Sequence, residues 1–168
     1  SDALHSYQSR ERKLEILKDS HAGAFAILTA VVYFLAYLGI YHELTLTGLP
    51  VVCIGFVLSR ALAGFSIAAF PMAKNTGLAA AFSDGAQKTC VKAVSIFYAV
   101  VCTALMLWYN PVIGGCAVLG AALEYLYYYK MSMKEFGGIT GDLAGFHTQI
   151  CELVIAFSCV AGEMITRM

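Results

Sequence analysis

"AGAFAILTAVVYFLAYLGIYH", residues 22–42, contains no Lys, Arg, Asp or Glu. A run of about 20 mostly apolar residues is what an α-helix needs to cross the hydrocarbon core of a bilayer. Four further apolar runs follow, at roughly 48–70, 93–109, 111–129 and 148–166. The third and fourth are parted only by Asn110-Pro111, a tight turn that makes them an antiparallel pair. The composition agrees with the runs. The chain has 168 residues, 60% hydrophobic and 13% charged, against about a quarter charged in a soluble domain. Its mean hydropathy is +0.72. The expectation is an all-α, polytopic transmembrane helical bundle of about five spans. Residues 1–168 form a single membrane domain, with 1–21 a cytoplasmic or interfacial segment before the first span.

The formal net charge of zero gives no reason to expect a bulk acidic partner such as nucleic acid. Six cysteines show no C-x-x-C spacing, and five lie inside apolar runs, so they read as small membrane hydrophobes. The opening stretch is charged and lacks the pattern of a signal peptide. It begins with Ser1 in place of Met, which leaves processing or truncation open.

Lys and Arg divide sharply between the two sides of these spans. Arg10, Arg12, Lys13 and Lys18 precede the first; Lys74, Lys88 and Lys92 lie between the second and third; Lys130 and Lys134 lie between the fourth and fifth. The loops at 43–47 and 109–111 hold none. The positive-inside rule therefore puts the N-terminus and residues 71–92 and 130–147 in the cytoplasm. The polar stretches share that side, as in an enzyme working at the cytoplasmic surface. A transporter would more often scatter polar groups through the midplane.

"FGGITGDLAGF", residues 136–146, is the most distinctive of these stretches. Gly137, Gly138 and Gly141 allow backbone conformations closed to other residues and close approach to a ligand. Thr140 or Asp142 can cap the following helix. Asp142 is alternatively a hard oxygen ligand suited to Mg²⁺. His147 and Glu152 follow at spacings that could line the start of the fifth span. An acid at membrane depth is a functional candidate by default. Glu152 lies nearest the motif, Glu163 falls near the far interface, and Glu124 is left undecided. Arg60, inside the second span, needs an acid, phosphate or backbone carbonyls. An ion pair with Glu152 or Asp142 and a phosphate clamp both meet that need. "RERKLEILKDSHAG", residues 10–23, reads as an interfacial helix in which Leu14, Leu17 and Ile16 face lipid or neighbouring helices. That reading leaves unexplained the grouping of Lys18, Asp19, Ser20 and His21. "AKNTG", residues 73–77, is either a plain basic loop or an anion contact through Lys74.

Taken in order, "RERKLEILKDSHAG", "SRALAGFSIAAFPMAKNTGLAAAF" and "FGGITGDLAGFHTQICEL" resemble the cobalamin synthase family, adenosylcobinamide-GDP ribazoletransferase, over nearly all the chain. The glycine–aspartate loop alone is a weak signal, whereas the ordered set is specific. Members of that family are longer at the N-terminus, with extra helices and an acidic cluster just before the R-E-R run. The resemblance thus implies the C-terminal two-thirds of such a protein, with Asp2 as the last acid of the cluster. It also implies a Mg²⁺-dependent enzyme of the bacterial inner membrane, active on its cytoplasmic face. A ribose hydroxyl of α-ribazole, or of α-ribazole 5′-phosphate, attacks the phosphate attached to cobinamide in adenosylcobinamide-GDP, and GMP leaves. Asp2, Asp19 and Asp142 are the expected metal ligands. Lys18, Arg60 and Lys74, with Gly138, Thr140 and Gly141, are the expected phosphate contacts. His21, His147 or Glu152 is the expected base. The lipid bilayer is a necessary partner, and a homo-oligomer is left open. Two rivals stand. A CDP-alcohol-type phosphotransferase would carry a D-G-x-x-A-R run, which is absent. A transporter or non-catalytic membrane subunit would show two matching halves, and no internal repeat is visible.

Overall fold

The computed structural model describes residues 2–19, 21, 23–73 and 88–167, with the side chains of His5 and Lys18 left out. The expectations placed on Lys74, Asn75 and the rest of 74–87 lie outside these residues, as does the Lys18 side chain. Among the described residues the structure is all helix apart from one isolated bridge. Two short helices, α1 (Asp2–His5) and α2 (Arg10–Lys18), precede five long ones. These are α3 (Ala24–Glu43), α4 (Leu49–Ala69), α5 (Lys88–Tyr109), α6 (Pro111–Met131) and α7 (Gly141–Arg167). All five long helices are long and apolar enough to cross a membrane. The protein is therefore a multi-pass membrane bundle.

Two boundaries differ from the sequence expectation. Helix α5 begins at Lys88, so Lys88 and Lys92 form its polar first turns rather than a loop. Helix α7 begins at Gly141, not near 148, so half of the distinctive stretch is helical. Hydropathy marks where a helix meets lipid, whereas capping marks where it starts, and the two need not coincide.

Local chemistry explains the turns. Asn110 caps α6, its Oδ1 accepting from the amides of Val112 and Ile113 at 3.0 Å each. Pro111 at the first helical position has no amide to leave unpaired. Behind this turn a Cβ on Gly114 would lie 2.2 Å from the Met106 carbonyl oxygen, so only glycine lets α5 and α6 approach this closely. At the same end, Glu163 of α7 accepts from the Thr45 hydroxyl (2.6 Å) and amide (3.3 Å). The far-interface place expected for Glu163 is thus a brace for the α3–α4 turn.

The core between α4, α5, α6 and α7 is built from Val51, Val52, Leu58, Met106, Ile113, Ala117, Cys151 and Ile155, among others. Helix α3 buries no residue of its own, and its Phe25, Leu28, Phe34, Leu35 and Leu38 are exposed. In a bilayer that face meets lipid or another segment. Its opposite side carries Tyr33, Tyr37 and Tyr41 at four-residue spacing, with Tyr37 stacked on Tyr41 at 4.1 Å. The Tyr33 hydroxyl donates to Gln149 of α7 at 2.9 Å.

Candidate functional site

A second, smaller core gathers α1, α2 and the α6–α7 connection at one end of the bundle, here called the turn end. Leu14 of α2 is buried with Ala3, Tyr128, Met131, Phe136, Ile139 and Leu143. The buried face of α2 therefore meets protein rather than lipid. Its basic residues hold that contact in place. Lys13 Nζ bonds Glu135 Oε2 at 2.6 Å, and Arg10 Nη2 donates to the Lys134 carbonyl at 3.2 Å.

Helix α6 runs into a wider turn, Ser132–Phe136, which Gly137 ends with φ of 73°. That left-handed conformation strains any other residue. Gly138 follows, buried, where a Cβ would lie 2.5 Å from the Ala73 amide nitrogen and 2.7 Å from the Pro71 carbonyl oxygen. Two backbone bonds cross at this point. The Ala73 amide donates to the Ile139 carbonyl and the Ile139 amide to the Pro71 carbonyl, both at 2.9 Å. The close approach expected between Gly138 and a phosphate is thus an approach to the chain's own backbone, at the segment leaving α4.

Thr140 caps α7, its Oγ1 accepting from the Leu143 amide at 3.2 Å and its carbonyl from Ala144 at 3.0 Å. This decides the choice left open between Thr140 and Asp142. Gly141 and Asp142 are exposed in the first turn of the helix. The Asp142 carboxylate makes no hydrogen bond or ion pair with any described residue. It is an exposed carboxylate at a helix N-terminus, where the backbone amides favour negative charge.

The other expected metal ligands are engaged. Asp2 accepts from the Gly23 and Ala26 amides at 3.1 Å each, and so ties α1 to the start of α3. Asp19 Oδ1 accepts from the His21 amide at 2.9 Å and lies 2.8 Å from His21 Nδ1. These bonds hold the Asp19 carboxyl below its ordinary range, the backbone amide contributing most and the ring next. Among the described residues, Asp2, Asp19 and Asp142 are not gathered into one set of neighbouring donor atoms.

Arg60 and Glu152 do meet. Arg60 Nη1 donates to Glu152 Oε1 and, at 2.8 Å, to the Phe56 carbonyl; Ser59 Oγ lies 3.1 Å from the same Glu152 oxygen. The ion pair expected as one of two readings of Arg60 is therefore formed. His147 is also placed differently from an accessible base. It is fully buried, stacked on Tyr128 at 4.6 Å, with Nδ1 2.7 Å from Glu124 Oε2. The early start of α7 explains this, because His147 falls in its second turn on the face toward α6.

One feature was not legible in the motifs. A cleft of about 630 Å³ opens at the turn end, lined by Leu4, Ser6, Tyr7, Lys13, Tyr127, Lys130, Met131, Lys134 and Glu135. Lys130 and Lys134, with Tyr7 and Tyr127, give this open cavity a basic and partly aromatic lining, while Lys13 is paired with Glu135. It adjoins the glycine turn, since Arg10, bonded to Lys134, also lies against Gly137. The signal available in the sequence was the run of tyrosines ahead of Lys130, which reads as ordinary membrane-interface residues.

The Cobalamin-5-phosphate synthase family matches residues 1–160. The chain belongs to that family. Relatives of cobalamin-5-phosphate synthase type include the adenosylcobinamide-GDP ribazoletransferase of Lachnoclostridium phytofermentans, 44% identical over 162 residues, covering 96% of this chain and 62% of that protein. Those of Clostridium botulinum and Desulfitobacterium hafniense are each 31% identical, over 162 and 157 residues. They cover 94% and 91% of this chain and 63% and 61% of their own lengths. The chain thus spans a little over three-fifths of the length of these cobalamin synthases. No solved structure matches it.

Proposed function

We propose that the chain carries part of the site of a membrane transferase that joins adenosylcobinamide-GDP to α-ribazole, or to α-ribazole 5′-phosphate, with release of GMP. Family membership supports the reaction class, and the relatives' names supply the substrate. The observation that carries the reading in this chain is Asp142, an exposed carboxylate at the start of α7 with no partner among the described residues. It belongs to the same turn end as a cleft bearing Lys13, Lys130 and Lys134. On this reading the turn end faces the cytoplasm of a bacterial inner membrane, as the distribution of basic residues suggests.

The division of labour follows from the chemistry. Lys130 and Lys134 attract the diphosphate and offset its charge, Lys13 being held by Glu135, while Tyr7 and Tyr127 offer ring faces to a planar group. Arg60 is committed to Glu152 and sits within α4, so it serves the scaffold in this reading. Magnesium fits Asp142 better than it fits a preformed three-aspartate set, because Mg²⁺ is commonly held by one or two carboxylates together with substrate phosphates. When bound, it neutralises charge developing on the transferred phosphate.

The test is cobalamin formation in membranes containing the protein expressed from its whole gene, supplied with adenosylcobinamide-GDP and α-ribazole or its 5′-phosphate. Asp142→Asn is expected to slow transfer about 100-fold or more, the scale seen when one preorganised electrostatic group is removed. Lys130→Ala with Lys134→Ala is expected to raise KM for the GDP-activated corrinoid. Absence of product with either acceptor, or normal turnover in Asp142→Asn, would overturn the reading.

A further inference from the structure

Three buried side chains meet between α6 and α7, away from the exposed turn. Donor atoms of Glu124, His147 and Cys151 all lie within 4.8 Å of one another. The side chains of His147 and Glu124 are 0% and 3% exposed, and Cys151 is fully buried. His147 and Cys151 are four residues apart, hence on one face of α7, and Glu124 reaches them from α6. With a rise of 1.5 Å per residue, they sit roughly 9 and 15 Å along α7 from its start.

These groups satisfy one another only in part: Cys151 stands within hydrogen-bonding reach of Glu124, and the imidazole is left over. Glu124 Oε2 and His147 Nδ1 are 2.7 Å apart but lack the alignment of a hydrogen bond. Among the described residues, Glu124 Oε1 and His147 Nε2 also have no hydrogen-bond partner. A buried, unsatisfied carboxylate is costly, and much more so at membrane depth. The imidazole is nonetheless held in a defined plane. Tyr128 stacks on it at 4.6 Å and 18°, and Tyr125 meets its edge at 5.3 Å. Orphaned polar atoms converging in a rigid frame describe a ligand site more readily than a plain ion pair.

We propose that Glu124, His147 and Cys151 bind a divalent transition metal of the zinc class, clipping α6 to α7. The donor set decides the class. A thiolate, an imidazole and one carboxylate suit zinc and its neighbours, whereas Mg²⁺ and Ca²⁺ take oxygen donors. Charge agrees with this choice. One carboxylate and one thiolate balance a divalent ion, and the imidazole binds neutral, so the complex adds no net charge to the apolar interior. The thiol proton leaves to solvent when the site loads, so loading strengthens as pH rises. Three protein donors leave a fourth tetrahedral position for water or another ligand. This site is separate from the aspartates of the turn end, and it stands whether or not the proposed transfer reaction is confirmed.

The experiment uses the tag-free protein purified in detergent and loaded with Zn²⁺ or Co²⁺ alone. Wild type should bind one equivalent, and the cobalt form should show a thiolate-to-metal charge-transfer band. Cys151→Ser and His147→Gln should each weaken binding by ~100-fold or more, since even a supporting partner of a ligand is worth 10–100-fold. Cys159→Ser, which changes another buried cysteine on α7, should leave binding and the band intact. Zinc should also raise the melting temperature of wild type and leave that of Cys151→Ser unmoved. Absence of bound metal in wild type overturns the proposal. So does a cobalt spectrum without thiolate character, a result that needs no variant to fold, or a full equivalent retained in Cys151→Ser.

Discussion

Arg60 of α4 donates to Glu152 of α7, and the two partners are unequally placed: the Glu152 side chain is 9% exposed and that of Arg60 61%. The carboxylate depends on the pair more than the guanidinium does. Arg60 keeps the Phe56 carbonyl as an acceptor when Glu152 is gone, whereas Glu152 without Arg60 retains, among the described residues, the Ser59 hydroxyl.

Arg60→Met should therefore destabilise the bundle more than Glu152→Gln. Breaking a buried pair costs about 3–5 kcal/mol, and the open side of Arg60 reduces that here. The double variant should recover much of the folded yield. Thermal unfolding of the purified protein in detergent measures the order; Glu152→Gln proving the worse single change would refute the unequal pair.

Cap and site can now be separated at the start of α7. Thr140→Ala removes the cap and should cost about 1 kcal/mol. Asp142→Asn loses only a favourable charge at the helix end, at most about 1 kcal/mol. In the proposed reaction the order reverses, with Asp142→Asn the more damaging. A pair of measurements, melting temperature and turnover, checks the crossing, and parallel losses in both variants would count against it.

Three glycines of one motif should respond differently to alanine. Gly138→Ala drives a Cβ into the backbone of Pro71–Ala73 and should cost on the order of 1–3 kcal/mol. Gly137→Ala is strained at φ of 73° and should destabilise by more than about 0.4–1 kcal/mol. A Cβ on Gly145 would meet nothing within 4 Å among the described residues, so Gly145→Ala should be neutral or stabilise α7 by about 0.5–1 kcal/mol. Unfolding curves of the three variants give the comparison; a destabilised Gly145→Ala would contradict the packing described.

Acid should loosen the link between α2 and α3. The folded Asp19 carboxyl lies below the ordinary value of 3.8 because the His21 amide and ring donate to it. Its contribution is thus fully present above the ordinary carboxylate range and is lost as pH falls through the lowered folded value. Carbon NMR of labelled Asp19 should show a midpoint below 3.8. His21→Ala should restore it only partway, because the larger backbone contribution remains. A midpoint at or above the ordinary value in the unmodified protein would refute the contact.

Five apolar runs, the Asn110-Pro111 turn and the one-sided distribution of Lys and Arg were legible in the sequence, because each depends on neighbours along the chain. Water and lipid sort such segments by composition alone, so the bundle could be anticipated. The ordered motifs were also enough to point to the family. The site was less legible. Arg60 and Glu152 are 92 residues apart, and whether they pair or point elsewhere depends on the rotation of two helices against each other. The start of α7 at Gly141 turned His147 inward toward Glu124, which hydropathy could not show. Gly138 looked free to approach a ligand, yet the same absence of Cβ serves the backbone of Pro71–Ala73. Chain composition determined that this protein spans a membrane. Only helix packing decided which polar side chains remain open to a substrate and which are locked between helices, because that choice rests on contacts between residues far apart in sequence.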